Sequence, residues 1–439
     1  MDKLPRRTAA VVTHGVSRRI NNKLLYSISF YNGLLWMVII LSPFQNTSLQ
    51  NTPLNMAGAS PSFIPLMALL ILAGAHGLLR NPFVIERSTL ILALYVGVVC
   101  AASLVWINHG EITVSLRSLR GYPLLTALIL FTVFRIRYRI GRGVRIAIYL
   151  AFCLTILGIV CEQMLGAKAI PLLQVSRSLD GRPSGFSTEA STLSVQIVAS
   201  GMLAAHFLER RWLKWSVIAA TCALLVFGGS KGGLISLLLC VIVLGIVKMR
   251  SSILSKILTL FVVLPLVYFG SLYILSIFGT MVDANITQTI ATRSSMAVYA
   301  LITVAHNPFG VGFTGFLPSI PRYLPQAIDI VQHTFPFPLG FSEVKGYLYP
   351  PQTDADCKTF FFDYLVFFGI PFAIVFFRFV VGLLTRLFRC QCYWLFVGVL
   401  FSVMALMTYY SSINAWTLPL LFGISIYEIK RIETSVCVQ

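Results

Sequence analysis

Long apolar stretches recur along almost the whole chain, and they restrict its fold more than any other feature. A helix needs about 20 apolar residues to cross a bilayer, and the sequence offers about twelve runs of this kind. Hydrophobic residues make up 57% of the 439 positions and charged residues only 11%, which excludes an ordinary soluble protein. We therefore predict an all-α, polytopic integral membrane protein. The predicted transmembrane helices lie near residues 24–41, 62–79, 88–106, 121–134, 146–165, 190–208, 213–228, 232–248, 257–278, 359–383, 393–409 and 414–428.

The basic residues predict the orientation of these helices. Lys and Arg collect in short cytoplasmic segments, and most of the 34 basic residues fall there if the N-terminus is inside. The densest cluster, RIRYRIGRGVR at 135–145, lies on a short loop, where this bias is strongest. Residues 1–23 are basic but lack the apolar core and cleavage site of a signal peptide, so we expect a cytoplasmic tail. Both termini are predicted to be cytoplasmic, and the net charge of +19 then reflects membrane orientation instead of a nucleic-acid partner.

The segments between the predicted helices contain no separate soluble domain, so residues 1–439 are expected to form a single transmembrane domain. One outward segment, 108–120, is predicted to carry Arg117 and Arg120 on a shared helix face just before the fourth span. Two longer outward segments also carry unusual polarity: a loop at 166–190, and a loop at 279–358 between the ninth and tenth helices. The second is far longer than an ordinary connection, and such loops are usually functional. The GGSKGG stretch at 228–233 also permits a re-entrant bend at the eighth helix. Histidines and cysteines show no metal-ligand spacing, and we expect neither a metal nor another cofactor.

Several basic residues are predicted to face outward, against the usual charge bias of membrane proteins. Arginine presents a planar fork of donors that suits phosphate oxygens. A basic basin beside the acyl chains would therefore suit a lipid-linked phosphate or diphosphate. The alternative is that each basic side chain pairs with an outward acid or simply faces water. The residues concerned are Arg117, Arg120, Lys168, Arg177, Arg182, Lys231, Arg293, Arg322, Lys345 and Lys358.

Three motifs follow one another along the outward segments. The first, RPSGFSTEAS at 182–191, places an arginine, a glycine-aromatic pair and an acid at the start of a span. The second, GSKG at 229–232, is a turn of small residues with one basic residue. The third begins at Arg293, which is expected to open a short helix, and ends in the Pro-x-Gly-x-Gly turn at 308–312, before a phenylalanine-rich span. In this order, over roughly residues 110–375, the motifs resemble the bacterial family of O-antigen polymerases and O-antigen ligases, called Wzy and WaaL.

The resemblance implies an inner-membrane glycosyltransferase that extends an O-antigen or related surface polysaccharide. Such an enzyme would move the growing chain from undecaprenyl diphosphate to an incoming lipid-linked repeat unit at the periplasmic face. Its partners would be these undecaprenyl-diphosphate-linked oligosaccharides, membrane lipid and a protein that regulates chain length. Undecaprenyl diphosphate is a good leaving group, so the site needs charge stabilisation, a base and alignment, with no metal.

The resemblance also implies roles for particular residues. Glu189 is the candidate that activates the acceptor hydroxyl or orients Arg182, and a structural ion pair with Arg182 or Arg177 is equally open. His333 is an alternative base. A carboxylate base works best with a raised pKa, which burial at the start of a span would supply. The candidate diphosphate ligands are Arg117, Arg120, Arg182 and Arg293, with Lys231 as a weaker fifth.

Two other functions compete with the polymerase. O-antigen ligases carry a motif that resembles H-N-x-x-L-x-x-x-x-E-x-G at the start of the late span. Here Lys358, Thr359 and Phe367 occupy the positions of its histidine, asparagine and glutamate, which favours the polymerase. A flippase or other transporter would need charged residues deep inside several spans, whereas only Glu162 and Arg378 are placed that way.

Overall fold

The computed structural model describes residues 33–45, 142–165, 183–187, 189–249, 284–335, 338–348, 355–410 and 417–436, with scattered positions at 47–102 and 252–262. This part of the chain consists of helices, turns and irregular segments and contains no strand. Its main helices are α1 (Arg142–Leu165), α2 (Ala190–Phe207), α3 (Arg211–Phe227), α4 (Lys231–Lys248), α5 (Ala284–His306), α6 (Gly312–Thr334), α7 (Ser342–Gly346), α8 (Phe360–Arg389), α9 (Tyr393–Thr408) and α10 (Thr417–Val436).

The predicted spans agree with these helices wherever both can be compared. Helices α1, α2, α3, α4 and α9 begin and end within a few residues of their predicted bounds, and α10 continues past its predicted end to Val436. By length and composition α1, α2 and α8 are able to cross a membrane, and α4 and α9 are shorter apolar helices. The predicted span at 121–134 lies outside the described residues. The spans at 24–41, 62–79, 88–106 and 257–278 are described only in part, and their described residues are mainly helical.

The outer surface of the bundle is apolar where lipid would lie. Ile374 and Val381 on α8, and Leu150 and Leu157 on α1, are exposed on two helices that are long and apolar enough to cross a membrane. Helix α2 is different, because almost all of its residues are buried. It packs against α1, α3, α9 and α10 and is therefore the central helix of the described bundle.

Side-chain contacts define the two ends of this bundle. At one end, the start of α2 meets the end of α9, where the hydroxyls of Ser194 and Tyr409 are 3.3 Å apart. At the other end, His206 of α2 lies 3.6 Å from Glu428 of α10, and Trp215 packs edge-to-face on Trp394. The helices therefore run up and down through a common layer, as a polytopic membrane protein requires.

The eighth predicted span is a plain helix and not a re-entrant bend. Helix α4 begins at Lys231, and the hydroxyl of Ser230 caps it by accepting a hydrogen bond from the N–H of Gly233 at 3.3 Å. Gly229 has a φ of +61°, a conformation that glycine adopts without strain. The GGSKGG stretch thus makes a tight turn between α3 and α4.

The predicted span at 359–383 is helical but broken near its first third. Gly369 interrupts α8 with a φ of 62°, two residues before Pro371. The turn between α5 and α6 fits into this break, because the N–H of Ile370 donates to the carbonyl of Pro308 at 2.8 Å. The N–H of Val311 likewise donates to the carbonyl of Val366 at 2.9 Å. The sequence did not predict this break, because it is stabilised by contacts that lie far away in sequence.

The long segment at 279–358 is largely helical. It contains α5, α6 and α7, and α5 packs along α6 and α8. Helix α6 is amphipathic: Phe316, Ile320 and Leu324 are buried, whereas Arg322 and Gln326 are exposed. Arg293 was expected to open a short helix, but it lies well inside α5, which is described from Ala284 onward.

Candidate functional site

Five charged residues lie together at the end of the bundle formed by the start of α2 and the end of α9. We call Glu189, Arg293, Glu343, Asp356 and Lys358 the polar cluster. They are brought together by four elements, because α5, α7, the start of α2 and the segment before α8 converge there. The backbone closes this arrangement, since the N–H of Phe360 donates to the carbonyl of Tyr410 at 2.8 Å.

Arg293 occupies the centre of the polar cluster. Its Nη1 donates to the carbonyl of Thr408 at 3.3 Å, which connects α5 to the end of α9. Burial lowers the pKa of Arg293, and electrostatic attraction to Glu189, Asp356 and Glu343 opposes that shift. Within the described part of the chain no carboxylate lies within 4.0 Å of its guanidinium, and the Thr408 carbonyl is its one hydrogen-bond acceptor. An arginine remains charged at physiological pH, so this side chain has donors left for an anionic ligand.

Glu189 belongs to the polar cluster and lies at the start of α2. It is the residue before α2 and has an extended backbone, and its side chain does not cap the helix. The carboxylate accepts a hydrogen bond from the Ser191 hydroxyl at 3.0 Å and faces the field of Arg293. Glu189 is exposed, so the burial expected for a carboxylate base is not found at this position. Its proposed pairing with Arg182 or Arg177 lies outside the described residues.

Lys358 is held between two carboxylates. Its ammonium nitrogen lies 3.5 Å from Glu343 and 3.6 Å from Asp356, above the ring of Tyr347 at 5.6 Å. Burial acts to lower the pKa of Lys358, but Asp356, Tyr347 and Glu343 outweigh it and the pKa is raised. The backbone φ of Lys358 is +58°, which is unusual for a residue with a side chain. Lys358 therefore stays protonated near neutral pH and is unsuited to act as a base.

The segment that carries Asp356 and Lys358 is fixed by a buried carboxylate. Asp363, in the first turn of α8, is fully buried, and its Oδ1 accepts the N–H of Cys357 at 2.7 Å. Asp356 in turn accepts the N–H of Lys358 at 3.1 Å. On the opposite side, Glu343 accepts hydrogen bonds from Thr292 and Tyr347, both at 3.0 Å. Burial raises the pKa of the Tyr347 phenol to about 12, so it remains a neutral donor.

The glycine turn before α4 borders the same region. Gly232 packs against the ring of Tyr409, which also hydrogen-bonds to Ser194. Lys231 is the first residue of α4 and precedes Gly232, and nothing is described of its side chain. Three more predicted diphosphate ligands, Arg117, Arg120 and Arg182, lie outside the described residues.

None of the described contacts of His333 involves the polar cluster. His333 is exposed in the last turn of α6, and its Nδ1 lies 2.8 Å from the carbonyl oxygen and 3.4 Å from the carboxylate of Asp329 in the same helix. The described contacts of His333 stay within α6. The sequence does not connect Glu343 and Asp356 with Arg293, because nothing in their spacing indicates that they lie close to it.

The comparisons with known proteins identify one distant relative. The sequence matches no protein-family model. It is similar to a Klebsiella pneumoniae protein described as "Uncharacterized 49.5 kDa protein in cps region", with 27% identity over 413 residues. The aligned segment covers 90% of this chain and 92% of the relative, so the two proteins are homologous over nearly their whole length.

Proposed function

We propose that this chain is a surface-polysaccharide polymerase of the bacterial inner membrane. It transfers the growing glycan from undecaprenyl diphosphate to the terminal hydroxyl of an incoming lipid-linked repeat unit. The relative from a cps, or capsule polysaccharide, region supports a role in surface-polysaccharide synthesis. The apolar helices support a membrane location.

The observation that carries the proposal is that Arg293 is charged and keeps hydrogen-bond donors that no described carboxylate occupies. A guanidinium held inside a group of acids, without a close carboxylate among the described residues, has the charge and the donors to bind a diphosphate. In the proposal Arg117, Arg120, Arg182 and Lys231 complete the basin around the two phosphates.

The reaction exchanges one bond at the anomeric carbon for another. The bond from that carbon to the diphosphate oxygen breaks, and the electron pair leaves with undecaprenyl diphosphate. The acceptor hydroxyl forms the new glycosidic bond, and its proton passes to Glu189, which lies in the field of Arg293. Arg293 stabilises the charge that develops on the leaving diphosphate. No metal is needed for these steps, because arginine supplies the positive charge.

The distribution of charge supports a periplasmic site. The end of the bundle opposite the polar cluster carries basic residues on several helices, among them Arg145, Lys248, Arg386 and Arg431. Because basic residues favour the cytoplasmic side, the polar cluster would face the periplasm.

The ligase is the second candidate, and the geometry around Lys358 argues against it. Lys358 stands where the ligase pattern has its histidine, but it is paired with Glu343 and Asp356 and remains protonated. A protonated, ion-paired lysine has no free electron pair with which to accept a proton. This pairing supports the choice of Glu189, instead of Lys358, as the base in the proposed reaction.

Deletion of the gene in its own host tests the proposal. Loss of a polymerase should leave a single repeat unit on its lipid carrier or final acceptor, which mass spectrometry and gel analysis of extracted glycolipids would show. Full-length polymer still attached to undecaprenyl diphosphate would instead identify a ligase. Repeat units trapped on the cytoplasmic side would identify a flippase.

A further inference from the structure

A buried carboxylate holds the loop that leads into the polar cluster. Glu162 lies in the last turn of α1 and is 2% exposed. Its Oε2 accepts hydrogen bonds from the backbone N–H groups of Ser184 at 2.8 Å and Gly185 at 2.6 Å. The Ser184 hydroxyl lies 3.5 Å from the other carboxylate oxygen. One side chain of a membrane helix therefore binds two consecutive amides of a loop.

The same loop is held by packing on both sides. The ring of Phe186 packs directly over Gly158 of α1, where even a methyl group would overlap it. It also lies 4.7 Å from the ring of Phe44, and its carbonyl accepts the N–H of Gln45 at 2.9 Å. Gly185 has a φ of +58°, so the turn requires glycine at the point where Glu162 binds it.

A second set of hydrogen bonds connects the loop to the neighbouring helices. The hydroxyl of Ser187 donates to Gln196 of α2 at 2.6 Å, and the Gln196 amide donates to Thr155 of α1 at 3.1 Å. All described residues from 183 to 187 are buried, whereas Glu189 is exposed. The loop is therefore held in place as far as Ser187, two residues before Glu189 of the polar cluster.

We infer that Glu162 is a positioning residue whose carboxylate, by holding the turn at Ser184 and Gly185, sets the placement of Glu189. The inference rests on the proposed function, in which Glu189 accepts the proton of the acceptor hydroxyl. Glu162 does not touch the substrate. It acts through the Ser184 and Gly185 amides. The position of its carboxylate determines how close the loop brings Glu189 to the rest of the polar cluster.

The hydrogen-bond pattern separates this role from proton transport. An intramembrane carboxylate often marks a proton pathway, and that role requires a group that takes up and releases a proton. Both loop amides bind the same oxygen of Glu162, so the single carbonyl oxygen of a glutamine can accept both bonds. Aspartate is one methylene shorter and withdraws the acceptor from the loop, and leucine removes it.

The test compares Glu162→Gln, Glu162→Asp and Glu162→Leu in protein purified from membranes. Hydrogen–deuterium exchange of the peptide containing residues 183–187 reports the anchor without any assay of activity. The leucine variant should exchange at least about tenfold faster there than the wild type, because two buried amides lose their acceptor. The glutamine variant should stay close to the wild type, because it keeps an acceptor oxygen. Ser200→Ala is the matched control, because Ser200 is buried in α2 and its hydrogen bonds among the described residues stay within that helix.

Chain extension in the deletion host, at matched membrane levels, gives the functional readout. The glutamine variant should retain most of the wild-type rate of chain extension. The aspartate and leucine variants should lower that rate at least about tenfold. A glutamine variant as inactive as leucine, with protected loop amides, would overturn the inference and indicate a proton-carrying group. Unchanged exchange in the leucine variant would also overturn it. If the gene deletion shows no defect in polymerisation, the proposed function fails, and the exchange result still decides whether Glu162 anchors the loop.

Discussion

The backbones of Gly310 and Gly369 are in direct contact where the turn after α5 enters the break in α8, and both glycines have a positive φ. A side chain on Gly310 would overlap the backbone of Phe367, and one on Gly369 would overlap the carbonyl of Pro308. The two glycines therefore determine how α5 is attached to α8. Because α5 carries Arg293 and the segment before α8 carries Lys358, this junction also sets the shape of the polar cluster.

Gly369→Ala should destabilise the protein strongly. At φ 62° and ψ −154° Gly369 occupies a backbone region that is open essentially only to glycine. This conformation costs a residue with a side chain about 1–3 kcal/mol, and overpacking adds about 1–3 kcal/mol, so we expect a loss of at least about 2 kcal/mol. Thermal unfolding of detergent-purified protein measures the effect. Gly382→Ala in the same helix is the control, because nothing lies within 4 Å of a methyl group there. Equal stability of the two variants would contradict the packing described.

Arg293→Ala should abolish most chain extension while leaving the protein folded. Loss of one preorganised donor at a site of developing charge typically lowers the rate by about 100-fold or more. Arg293→Lys should retain only part of the wild-type chain extension, because an ammonium lacks the planar fork that contacts two phosphate oxygens. The measurement is polymer length in the deletion host at matched membrane levels. The assignment fails if the Arg293→Ala polymer ladder equals that of Arg322→Ala, a control on the exposed face of α6.

Lys358 combines backbone strain with ion pairing, and two substitutions separate these contributions. Lys358→Ala and Lys358→Gly both remove the contacts to Glu343 and Asp356, but only glycine relieves the positive φ. We expect the glycine variant to be more stable than the alanine variant by about 1 kcal/mol in thermal unfolding. The opposite order would show that the φ of Lys358 is not strained.

The pH dependence of the same ion pairs follows from the raised pKa of Lys358. A group whose pKa is higher in the folded state contributes its full stabilisation below the unfolded pKa and loses it as pH rises through the folded pKa. The stability difference between wild type and Lys358→Ala should therefore stay constant from about pH 6 to about pH 9 and shrink only in strongly alkaline solution. Thermal unfolding in a buffer series measures this difference. A decrease already near neutral pH would contradict the raised pKa.

The sequence predicted the helices well because each needs only a local signal. Helices α2 and α4 follow from apolar runs of the right length, and composition alone indicated a membrane protein. The break at Gly369 was missed because FFGIPF reads as one apolar run, and its cause is the distant Pro308 carbonyl. Glu343 and Asp356 were missed as neighbours of Arg293 for the same reason: their proximity arises from the packing of α5, α7 and α8 and leaves no spacing in the sequence.

Gly233→Ala should impair chain extension through the position of α4. A methyl group at Gly233 would lie 2.9 Å from both the Ser194 Cβ and the Ser230 Oγ, so α4 must move away from α2. Gly232 tolerates a methyl group better, with the Tyr409 ring at 3.4 Å, and Gly245 has open space around it. Activity should therefore fall in the order Gly245→Ala, Gly232→Ala, Gly233→Ala, as the start of α4 shifts beside the polar cluster. Polymer length at matched membrane levels measures this order. Equal activity of all three variants would show that the turn before α4 has no part in shaping the site.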